Sequence, residues 1–88
     1  MSNAPMFSQM TSASLASLQG CITAATGNEN VSYLPTATGG IFKSTAGPQD
    51  YVFWLINIDE LGAQRQVMVR AVNGRLGEKL VRKIQGCH

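Results

Sequence analysis

Few side chains in this 88-residue chain have the type and spacing that catalysis needs. A nucleophile–base pair requires a thiol or hydroxyl beside a positioned base. The one histidine, His88, follows Cys87 in a tail where little order is expected. Asp59 and Glu60 are adjacent. Neighbours on an extended chain point apart, so this pair reads as solvated turn residues rather than a general acid and base. Cys21, Cys87 and His88 supply at most three soft metal ligands, without the close CxxC or HxxxH spacing of a metal site. The chain is therefore expected to be non-enzymatic, with no catalytic residues, no metal and no cofactor.

Binding chemistry is better supplied. Residues 1–28 carry no charged side chain, whereas six bases and one acid follow Leu61. The bases are Arg65, Arg70, Arg75, Lys79, Arg82 and Lys83. They are candidate contacts for an anion or a nucleic acid, or else an ordinary solvated face. Single-strand binders combine such a surface with aromatic platforms, and Tyr51 and Phe53 could stand between Arg65 and Arg70 in that way. Asn73-Gly74-Arg75-Leu76-Gly77-Glu78-Lys79 is a second anion candidate if it forms a strand–turn–helix junction. Its glycines equally suit a hairpin or a cap, and it is neither a P-loop nor a GxGxxG fingerprint.

The element that must position these residues is Tyr51–Ile58, the most apolar run of the chain. Its aromatic and β-branched content predicts a buried strand. Alternation sends Tyr51, Phe53, Leu55 and Asn57 one way and Val52, Trp54, Ile56 and Ile58 the other. Both sets are largely apolar, so both faces need a cover. Tyr51, Phe53 and Trp54 are accordingly the expected interface residues.

Around that strand we expect an α+β fold. An N-terminal helix spans Ser12–Thr26, capped by Thr11 or Ser12, with Leu15, Leu18, Ile22 and Ala25 on one face and Gly27 ending it. Asn28-Glu29-Asn30 is a turn. Short strands follow at Val31–Leu34, ended by Pro35, and at Ile41–Thr45, with Gly39-Gly40 in the loop between and a turn at 46–50. A five-residue connection, 59–63, leads to a strand over Gln64–Val72. For Arg75–Gln85, the Asn73-Gly74 pair favours a hairpin strand. The spacing of Leu76, Leu80, Val81 and Ile84 favours a helix, and we choose the helix. The result is a three- to four-stranded antiparallel sheet with 51–58 central, helices on one face, a flexible arm at 1–10 and a single domain at 11–88.

Charged residues make up only 14% of the chain, against a typical share of about 25%. With so short a chain, that hints at surface covered by a partner. Two cysteines do not make a disulfide scaffold, and no signal peptide or membrane span is recognisable. We therefore expect free thiols and a cytoplasmic location, a Cys21–Cys87 bond being the alternative. The functional expectation is a small protein–protein interaction module, acting as a homodimer or as a subunit of a larger assembly. The alternative is a small nucleic-acid-binding protein using the basic C-terminal third.

Overall fold

The structure, a computed structural model, describes residues 6–27, 31–46, 48–49 and 51–87. The turn expected at 28–30, Gly47 and Asp50 of the next turn, residues 1–5 of the expected arm, and His88 lie outside the described residues. In chain order the elements are β1 (Phe7–Thr11), α1 (Leu15–Thr26), β2 (Val31–Thr36), β3 (Gly39–Ala46), β4 (Tyr51–Leu61), β5 (Gln64–Ala71) and α2 (Gly74–Ile84). The strands form one antiparallel sheet in the order β1-β5-β4-β3-β2, with β4 in the middle.

The α+β class holds, but the sheet has five strands rather than three or four. The fifth is Phe7–Thr11, four residues of the expected arm and Thr11, an expected helix cap. It pairs along the outer edge of β5, and Thr11 is buried at its end. β2 continues through Pro35 instead of stopping there. An edge strand tolerates proline, whose missing N–H costs no ladder bond on the outer side. Gly39 and Gly40 belong to β3 rather than to a loop. A Cβ at Gly39 would run into the Ile58 carbonyl of β4, and one at Gly40 into the Tyr33 ring. Both glycines therefore allow close packing. The β4–β5 connection is a two-residue turn, with Gly62 at φ 66° in its first position, where a tight hairpin takes glycine.

Both helices begin at a side-chain cap. Ser14, rather than the expected Thr11 or Ser12, accepts from the Ser17 N–H at 3.1 Å, and Gly27 at φ 77° ends α1. Asn73 accepts from the Leu76 N–H at 2.8 Å, so the Asn-Gly pair starts a helix and not a hairpin. The two helices lie on one face of the sheet. Leu18 and Ile22 of α1 and Leu80 and Ile84 of α2 close over Phe42, Trp54, Ile56, Ile58, Val67 and Val69. Fully burying each such side chain stabilises by about 1.5–3 kcal/mol.

Cys21 and Cys87 form a disulfide with a Cα–Cα separation of 5.7 Å. The expectation of free thiols is thus overturned. The bond joins α1 to the segment that follows α2, two places 66 residues apart that the packing of the helices brings together.

Candidate functional site

Two surfaces gather the candidate residues. The first is the sheet face opposite the helices. Strand register sets Leu34, Ile41, Asn57, Met68 and Ser8 in one row across all five strands. On one side of that row lie Ser32, Lys43, Leu55 and Arg70. On the other lie Thr36, Gly39, Asp59, Gln66 and Met10. Leu34 is 51% exposed and Met10 45%, and Leu61 at the end of β4 is also exposed. No element of the described chain packs over this face, because both helices are on the other. Arg70 donates to Asn57 Oδ1 at 3.4 Å, and Thr38 donates to Asp59 Oδ1 at 2.9 Å. The row is therefore framed by two cations, Lys43 and Arg70, on one side and one anion, Asp59, on the other.

The second surface is a recess of about 460 Å³ between the start of α2 and the adjoining end of the sheet. Its lining is Ser44, Phe53, Trp54, Asn73, Arg75, Leu76 and Lys79. A smaller hollow of about 120 Å³ adjoins it, sharing Ser44, Trp54, Leu76 and Lys79 and reaching Lys83. A β-bulge creates this surface. Ser44 pairs with Trp54 but Thr45 pairs with Val52, so Phe53 is an extra residue on β4. A bulge interrupts strict alternation and re-aims side chains. Phe53 packs against the core and into the recess instead of joining Leu55 on the open face. Tyr51, 57% exposed, meets Phe53 edge-on with ring centroids 5.2 Å apart.

The sequence-derived candidates thus divide. Trp54 is core, 7% exposed beneath the helices. Phe53 and Tyr51 sit at the recess end of the sheet. Arg65 is a structural clamp: its guanidinium donates to the carbonyls of Ser12, Ala13 and Ala63 and lies 4.0 Å from Glu60, with 15% of its side chain exposed. Arg70 is on the open face, away from α2. Arg75, Lys79, Arg82 and Lys83 are exposed on α2. Sequence reasoning set Tyr51 and Phe53 between Arg65 and Arg70; the fold instead sets Phe53 in one recess with Arg75 and Lys79, with Tyr51 against the Phe53 ring. It also missed Lys43 and Asp59 as a charge pattern, which only strand register reveals.

The thiols of Cys21 and Cys87 are bonded to each other, and no three His, Cys, Asp or Glu side chains cluster as metal ligands among the described residues. No helix among those residues is long and apolar enough to cross a membrane. Neither a protein-family model nor a curated protein matches the chain.

Proposed function

We propose that this chain is a small, non-enzymatic interaction module that pairs with a second copy of itself through the open face of its sheet. The supporting observation is the uncovered row Leu34–Ile41–Asn57–Met68 and the charges on either side of it. A face of five strands, from five to eleven residues long, measures about 24 Å across and about 25 Å along a strand of average length, the scale of one side of a standard interface.

The charges select the arrangement. Two sheets stacked face to face by a two-fold axis have two options. An axis along the strands lays Asp59 on its own image and Lys43 on Arg70, which repel. An axis along the Asn57 row reverses the strands. Each Asp59 then faces the Leu55 level of the other copy, between Lys43 and Arg70, while Ile41, Asn57 and Met68 each meet their own image. The second option is the self-complementary one.

Sedimentation across a concentration series tests this. Wild type forms a dimer. Asp59→Lys and the double variant Lys43→Glu/Arg70→Glu each weaken it by roughly tenfold or more, as like charges oppose in an interface. An equimolar mixture of the two recovers a dimer, since every charged contact is again attractive. A wild-type monomer at high concentration overturns the pairing itself. A wild-type dimer with no recovery in the mixture of folded variants overturns the reversed register.

The non-enzymatic reading is supported by the commitment of the reactive groups: the thiols to each other, Asp59 to Thr38, and Glu60 to Arg65. The disulfide favours an oxidising compartment over the cytoplasm, since such bonds persist mainly where thiols are not kept reduced.

A further inference from the structure

The recess beside α2 is on the opposite side of the sheet from the pairing face, and its chemistry is different. Helix α2 separates its charges into two flanks. Arg75 and Lys79 line the recess and Lys83 the adjoining hollow. These three are spaced four residues apart, so they form one stripe about 12 Å long at 1.5 Å per residue. Glu78 and Arg82 line a separate hollow on the other flank, with Met6 and Phe7. Glu78, the acid inside the basic segment, thus lies on the flank away from the stripe. At the foot of the stripe the half-buried Phe53 lines the recess, and the exposed Tyr51 packs edge-on against Phe53. A row of cations beside aromatic rings is the pattern that holds a single strand, phosphates along the charges and a base on the rings.

We propose that this surface binds a short stretch of single-stranded nucleic acid. One base rests against Phe53 and Tyr51, and the phosphates run along Arg75, Lys79 and Lys83. The stripe is longer than one nucleotide needs, which favours a strand over a free mononucleotide. The recess is of a size to take a single unit, since small-ligand sites run from about 300 to 1,000 Å³. A rigid duplex keeps its bases stacked inside and has none to offer the rings.

The experiment is fluorescence anisotropy of a labelled oligothymidylate with the full chain, with a duplex of equal length and inorganic polyphosphate as competitors. The oligothymidylate is expected to bind and to outcompete both. Three phosphate contacts give a slope of log affinity against log salt near −2, at about 0.7 per contact on a single strand. Lys79→Gln/Lys83→Gln is expected to weaken binding roughly tenfold or more and to flatten that slope. Arg82→Gln, on the other flank, leaves both unchanged. Tyr51→Leu weakens the oligothymidylate but not polyphosphate. Absence of binding overturns the proposal. So does equal competition by polyphosphate with no effect of Tyr51→Leu, which would mark a general polyanion surface. Because the pairing face is elsewhere, Asp59→Lys is expected to bind the oligonucleotide as wild type does, so this result stands or falls apart from self-association.

Discussion

Arg65 shows how a surface-type residue becomes structural. Its planar fork donates to Ser12 and Ala13, in the connection between β1 and α1, and to Ala63 in the β4–β5 turn. A lysine is a point charge and cannot span those carbonyls. Arg65→Ala is expected to lower stability by about 2 kcal/mol, since one part-buried and two exposed carbonyls lose a charged donor, and Arg65→Lys to recover only part of it. Urea unfolding monitored by circular dichroism measures both. In the sequence Arg65 looks like one member of a basic group, because its partners at Ser12 and Ala13 are some 50 residues away and only the tertiary fold supplies them. Trp54 was legible as apolar strand material, yet the face it would take depended on alternation. That alternation holds from Trp54 to Ile58 and fails at Phe53, where the register of β3 introduces the bulge.

At the level of elements, local signals read well where one stretch carries its own instructions. The C-terminal helix follows from the spacing of Leu76, Leu80 and Ile84, and the end of α1 from Gly27. The central place of β4 follows from its composition. β1 was not legible: only Phe7 and Thr11 of its five residues favour a strand, and the segment becomes one because β5 offers an open edge. Two glycines test how closely the elements pack. At Gly39, φ 157°, a methyl group would meet the backbone carbonyl of Ile58, which cannot move without breaking the β3–β4 ladder. At Gly77, in α2, the added methyl would meet the flexible end of Met6 and lie 3.4 Å from Ala71 Cβ. Gly39→Ala is therefore expected to destabilise by about 2 kcal/mol or more, as an overpacked site does. Gly77→Ala is expected to be close to neutral, because a helix-propensity gain of about 1 kcal/mol offsets the shift of Met6. Thermal unfolding of the two variants side by side separates the cases; equal losses would show that the helix–sheet contact is as rigid as the strand ladder.

For the molecule as a whole, the Cys21–Cys87 bond is the largest single restraint. It closes 66 residues of sequence, and on a chain-entropy estimate this stabilises the fold by about 4 kcal/mol. That is a large part of what a domain of this size has. Cys21→Ser/Cys87→Ser, or reduction of the wild type, is expected to lower the urea midpoint accordingly; an unchanged midpoint would mean that packing of α1 on α2 already holds the ends together. The sequence left the pairing open because two distant cysteines carry no geometric information until the helices meet. The bond also partitions the molecule. Strands β2 to β5 and α2 all lie within the covalent ring, and β1 stands outside it, attached by its ladder to β5 and by the Arg65 clamp. That strand can peel away and return while the remaining scaffold stays linked, so its amides should lose protection first in deuterium, and two copies at high concentration have a route to trade it.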